Sequence, residues 1–157
     1  MSEVVAVVLT DIGSWKKGDY ISVDIGTFRE LFKKGIVDFA NLSDFINEVA
    51  KLRYWEAKST ELQELEDDFY EKVKLVEEVL LERARRADAY ALDTLGRFRL
   101  HVRKLKMTRL EKIFYAALIR PNSLEIENRL TKEEREFYRR WSSDLRGFLD
   151  GGVNDAG

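Results

Sequence analysis

The sequence predicts an α+β protein in which a small N-terminal β-rich domain is followed by an antiparallel α-helical bundle. Three observations carry this reading. The first forty residues hold two Val- and Ile-rich stretches, Glu3–Ile12 and Tyr20–Gly26, the first without helical spacing and the second alternating as a strand does. From Asn41 onward, apolar residues recur at intervals of three and four instead. A chain of 157 residues is long enough for one domain, or one domain with a small appendage, and a hydrophobic core. The expected boundaries are 1–40 for the β-rich domain, 41–149 for the helical bundle and 150–157 for a frayed tail.

In the first domain, "GSWKKGD" supplies turn residues between the two strands. Thr27 then caps a short helix, Glu30 closes a capping box and Gly35 ends it. Ile36–Ala40 reads as a third short strand. In the second domain, Asn41 or Ser43 caps a helix through "DFINEVAKLRYWEAK". A long helix follows Ser59 and Thr60, with Leu62, Leu65, Phe69, Val73, Val76, Leu80, Ala84, Ala87 and Ala91 on one side. Near Gly96 the pattern predicts a bend or a turn, and a further helix then begins. "RPNSLEIENRL" carries the single proline, Pro121, and reads as a loop; Thr131 and Glu134 form a capping box for a last helix through Phe137, Trp141, Leu145 and Phe148.

The helix "HVRKLKMTRLEKIFYAAL", His101–Leu118, poses a puzzle. At about 100° per residue, Val102, Met107, Leu110, Ile113, Phe114, Ala117 and Leu118 fall on one broad arc, and Arg103 and Lys106 fall inside it. A core-covering helix excludes unpaired charge from that arc, because burying it costs several kcal/mol. The expected resolution is a helix that enters its own bundle from Leu110 onward and meets acidic groups, in this chain or a partner, at its first half.

Composition excludes several kinds of chemistry. With 27 basic and 29 acidic residues the net charge is −2, so no whole-molecule field draws the chain to DNA. The absence of cysteine rules out disulfides, thiolate zinc sites, iron–sulfur clusters and cysteine nucleophiles. The apolar run in "MSEVVAVVLTDIG" is too short for a signal peptide or a membrane span, so the sequence reads as a soluble cytoplasmic protein with no membrane contact. High charge, one glutamine and one proline lean toward a thermophile. His101 is the only histidine and Phe98 stands three residues before it, which removes the Glu-x-x-His ligand pairs of di-iron bundles. Neither a GxxxxGK[ST] nor a GxGxxG loop occurs. The acid pair Asp67 and Asp68 reads as solvent- or partner-facing, and His101 as a surface side chain. No catalytic residue, metal site or cofactor is therefore expected, and the chain reads as a non-enzyme. Tyr54 and Trp55, beside Arg53, fit a stacking platform for single-stranded nucleic acid or, as the charge balance favours, one ring in the core and the other over a seam. Trp141 reads as core or interface.

Three segments in order, "STELQELEDDFYEKVKLVEEVL", "RKLKMTRLEKIFYAAL" and "LTKEEREFYRRWSSDL", resemble the helical domain of GINS complex subunits, especially the archaeal ones. The shared residues are Leu62, Leu65, Asp68, Phe69 and Tyr70; Arg109, Leu110, Lys112 and Ile113; and Leu130, Thr131, Glu133, Glu134 and Tyr138. The order of a small domain first and a helical domain second, with a tail too short for another domain, is similar to the archaeal two-three class. The resemblance implies a non-catalytic scaffold at the replication fork, associated with the nucleoid. It implies a 2:2 heterotetramer with a sister subunit of the five-one class, linking the MCM helicase to a RecJ-like nuclease, with DNA contact at most indirect or weak. The expected subunit-interface residues are Tyr54, Trp55, Phe69, Tyr70, Arg103, Lys106 and Arg109. The alternative is a small nucleic-acid-binding module on the basic helix 103–112, where Lys104 and Lys112 are the candidate contacts.

Overall fold

The computed structural model describes residues 3–151. Among these residues a three-stranded antiparallel sheet stands at the N-terminal end and six helices follow or interrupt it, so the α+β reading holds. Of the expected tail, residues 152–157 lie outside the described residues.

The central strand β1 (Glu3–Val8) pairs with β2 (Tyr20–Asp24) on one side and β3 (Val37–Phe39) on the other, with Ala6 opposite both Ile21 and Phe39. Alternation does the sorting: Val4, Ala6 and Val8 are buried while Glu3 and Val5 face out. The strand stops at Val8 rather than Ile12, because Ile12 and Trp15 exchange backbone hydrogen bonds and the Asp11 carboxylate accepts from the Lys17 N–H at 2.7 Å. Helix α1 (Ile25–Lys33) starts three residues earlier than expected. Its cap is Asp24, not Thr27: Asp24 accepts from the Thr27 N–H at 2.7 Å and from its hydroxyl at 3.0 Å, which holds the Asp24 carboxyl below the usual carboxylate range. Gly35 does end the helix, at φ +74°, while its N–H donates to the Phe32 carbonyl.

Helix α2 (Leu42–Lys58) follows Asn41, whose carbonyl accepts from the Phe45 N–H. The expected helix from residue 60 to 91 is corrected at both ends. Residues 59–68 carry no helix; α3 spans only Phe69–Arg85. The Leu62 and Leu65 spacing that mimicked a helix belongs to an extended strap with both leucines buried and the Leu65 N–H donating to the Arg129 carbonyl at 3.1 Å. At its other end α3 closes at residues 86–88. Ala87 adopts φ 68°, its N–H donates to Ala84 O, and Asp88 N–H donates to Arg83 O, the paired bonds of a Schellman closure. Asp88 then accepts from the Tyr90 and Ala91 N–H groups and starts α4 (Ala89–Ile119). The expected break at Gly96 is absent, and Gly96 lies inside one 31-residue helix, about 46 Å long at 1.5 Å per residue. Residues 120–130 include a single helical turn, α5 (Leu124–Glu127), capped by Ser123. Helix α6 (Lys132–Leu149) starts with the expected reciprocal capping box of Thr131 and Glu134.

The chain divides into two compact units: residues up to Glu48 with Glu71–Phe98, and Val49–Tyr70 with Arg99 onward. The strand-to-helix change at residue 40 is therefore not the line of this division; α2 and α4 each contribute to both units. In the first unit a run of rings, Phe32, Phe28, Phe39, Phe45 and Phe98, passes between α1, β3, α2 and α4 at centroid separations of 5.7 to 6.3 Å. In the second, Leu62, Ile113, Ala116, Ala117, Ile126, Leu130 and Tyr138 form the core, with Trp141 and Leu145 packed against it. Among the described residues no helix is long and apolar enough to cross a membrane.

Candidate interaction surface

The second unit is built around one cation. Arg109 projects from α4 into the interior, where its side chain is fully buried. All five of its N–H groups have acceptors: Nε and Nη2 donate to the two oxygens of Glu134 at 2.7 and 2.9 Å, and Nη1 to Glu56 at 2.6 Å and the Gln63 carbonyl at 2.8 Å. Nη2 also reaches the Arg129 carbonyl at 3.1 Å. Burial alone lowers the tendency of this guanidinium to stay charged, but the hydrogen bonds and charge of Glu134, joined by Glu56, outweigh it and hold the proton more tightly than usual.

The surrounding groups complete the network. Lys112 Nζ donates to Glu56 Oε2 at 2.7 Å and to the Glu56 and Glu61 carbonyls. Gln63, the single glutamine, bonds the Leu52 carbonyl and Glu56. The Tyr70 hydroxyl donates to Glu134 at 2.9 Å; burial, reinforced by the Glu134 charge, pushes its ionisation well above the usual phenol range. Two cations and two carboxylates thus balance, and the strap at 59–68 has backbone carbonyls bound by Lys112, Arg109 and Arg129 side chains in place of helical hydrogen bonds. Asp67 is held by both Nη atoms of Arg135, at 2.6 and 2.9 Å, which lowers its carboxyl below the usual range and raises Arg135.

This geometry revises the expected interface set. Arg109 and Phe69 are buried inside their own chain and are withdrawn from any surface of it. Tyr70 is half-buried, with Lys106 Nζ 5.1 Å from its ring centroid. Tyr54 and Trp55 are 55% and 58% exposed and pack edge to face at 5.1 Å, so neither fills the core; Lys58 covers Tyr54. Arg103, Lys104 and Lys106 are exposed, whereas Lys112 is committed to Glu56. Of the two candidate nucleic-acid contacts, Lys104 and Lys112, the second is therefore spent on the fold, as is Arg109 on the same basic helix. His101 is half-buried and its Nδ1 accepts from Arg53 at 2.9 Å.

The broad arc of α4 resolves into two stripes. Val102, Leu105, Arg109, Ile113, Ala116 and Ala117 are buried. About 100° or more around the helix, Leu100, Met107, Phe114 and Leu118 stay 39–52% exposed, with Leu110 half-buried among them. Arg103 lies within this outer stripe, whereas Lys106 is exposed at the angular edge of the buried one. On α6 the buried row is Glu134, Tyr138 and Ser142, and beside it run Phe137, Trp141, Leu145 and Phe148. The two outer rows meet where Phe114 and Trp141 pack edge to face at 5.4 Å. Sequence reasoning missed Glu56 as a buried anion; the Thr131–Glu134 box was legible, but its second use as the Arg109 clamp carried no local signal.

No protein-family model matches the chain, and no curated protein matches it in sequence.

Proposed function

We propose that the chain is a non-catalytic scaffold subunit of a GINS-type replication complex, of the archaeal two-three class, acting at the replication fork. In this reading it assembles 2:2 with a five-one-class sister subunit and links the MCM helicase to a RecJ-like nuclease. One observation carries the proposal: the three segments on which the resemblance rests meet at Arg109. That residue belongs to the second segment, bonds Glu134 of the third, and binds the Gln63 carbonyl within the first. Tyr70, Lys112, Ile113, Leu130, Thr131 and Tyr138, all on the resembling pattern, belong to the same network or to the core of the same unit. A pattern spread by chance over three separate segments has no reason to converge on one salt-bridged centre.

Co-expression with the five-one-class subunit of the same organism, followed by light scattering, tests the proposal. The expected result is a single species with the mass of two copies of each chain; two independent monomers would refute it.

A further inference from the structure

We infer that the outer stripe of α4, together with the adjoining row on α6, is a docking surface for an amphipathic α-helix of another chain that carries carboxylates beside its apolar stripe. Leu100, Arg103, Met107, Leu110 and Phe114 are spaced alternately by three and four residues, the heptad seam by which one helix packs along another. Four of the five are large and apolar, and three of these stand 44–52% exposed. The aromatic row on α6, with Phe148 83% exposed, widens the seam on one side. An exposed contiguous strip of this kind is an interaction site rather than ordinary surface.

The charges decide the occupant. No Asp or Glu occurs between Thr94 and Leu110, a stretch that holds Arg97, Arg99, Arg103, Lys104 and Lys106. Arg103 sits in the seam itself and, among the described residues, neither it nor Lys104 has a carboxylate partner. A helix laid along the seam desolvates Arg103, which is tolerable only if the helix brings a carboxylate to it. A second copy of this chain would bring the same cation-bearing stripe, so self-pairing is disfavoured. Nucleic acid would leave Met107, Phe114, Leu118 and Phe148 without partners suited to them. The inference stands apart from the GINS-type reading, because it specifies the chemistry of the occupant and not the assembly.

The test uses the full chain and a fluorescein-labelled three-heptad peptide with Leu at a and d and Glu at e and g, whose glutamates keep it monomeric by mutual repulsion. Fluorescence anisotropy is expected to show saturable binding, weakened about tenfold or more by Arg103→Glu and abolished by Met107→Asp with Phe114→Asp. Circular dichroism should keep the helix content of the parent, because Arg103 and Met107 are exposed and Phe114, which packs on Trp141, lies outside the buried stripe, and Tyr115→Ser on a different face should bind as the parent does. The same peptide with Lys at e and g should fail on the parent chain and gain binding to Arg103→Glu. Equal binding of both peptides to the parent, no binding of the Glu peptide, or indifference to Arg103→Glu would overturn the inference. So would preferential binding of a labelled single-stranded oligonucleotide, or a dimer by light scattering that the Met107→Asp, Phe114→Asp variant dissolves.

Discussion

Replacing Arg109 by Met keeps most of the side-chain volume and removes the cation at the centre of the second unit. The parent cluster of Arg109, Lys112, Glu56 and Glu134 is neutral; the variant leaves it at −1 with both carboxylates almost wholly buried. Glu56 retains Lys112 and Gln63, so the uncompensated charge falls on Glu134, which keeps only the Tyr70 hydroxyl and the Thr131 and cap contacts. Removing one partner from a buried ion pair costs about 3–5 kcal/mol, and here two backbone carbonyls, of Gln63 and Arg129, also lose a donor. The expected loss is thus at the upper end, about 4–5 kcal/mol, against a total stability of roughly 5–15 kcal/mol for a chain of this kind. Urea unfolding followed by tryptophan fluorescence and far-UV circular dichroism measures it. The Glu134→Gln change alone leaves the cluster at +1, and the double variant restores neutrality. The double variant should therefore be less destabilised than the sum of the singles by at least about 1 kcal/mol. A loss below about 1 kcal/mol for Arg109→Met, or strict additivity, would refute the account of Arg109 as the ionic centre.

Two further outcomes follow from local geometry. Gly96 lies in mid-helix, and a Cβ there would meet nothing within 4 Å; Gly96→Ala should therefore raise stability by about 0.5–1 kcal/mol, read as a higher thermal midpoint, and a fall would mean that the helix bends there. The Asp67 carboxyl is depressed in the fold by Arg135, so the unfolded chain takes up that proton at higher pH than the folded one. Its stabilisation is present above the unfolded value near about 4 and is lost as pH falls through the folded value. Asp67→Asn should make the acid-side decline of stability shallower in urea titrations below about pH 4, and an unchanged slope would count against the Asp67–Arg135 pair.

The elements legible in the sequence are those whose cause lies within a few residues. The Gly35 terminus and the Thr131–Glu134 box each depend on side chains and backbone groups less than two turns apart, and each is found where the pattern places it. The same local rules failed where two solutions compete. Asp24 and Thr27 both can cap; the fold uses Asp24 because helix α1 starts at Ile25. Leu62, Leu65 and Phe69 have helical spacing, but an extended strap buries the two leucines equally well when Arg109, Lys112 and Arg129 supply donors for its carbonyls.

The candidate surface was half legible. The basic, apolar mixture of His101–Leu118 announced that one face of α4 does something other than cover a core, and Arg103 marked the anomaly. What it could not announce is which cation goes inside, because the partners of Arg109 stand 53 and 25 residues away at Glu56 and Glu134. By itself the sequence determined the α+β class, the placing of the β-rich part ahead of the main helices, the caps that close α1 and open α6, and the presence of misplaced charge on α4. Only the tertiary structure decided that the apolar arc is two stripes, that Arg109 belongs to the buried one and that Arg103 remains on the open one. The physical reason is that periodicity reports the angle of a residue around its helix, whereas burial and charge compensation depend on which distant segments arrive at that angle.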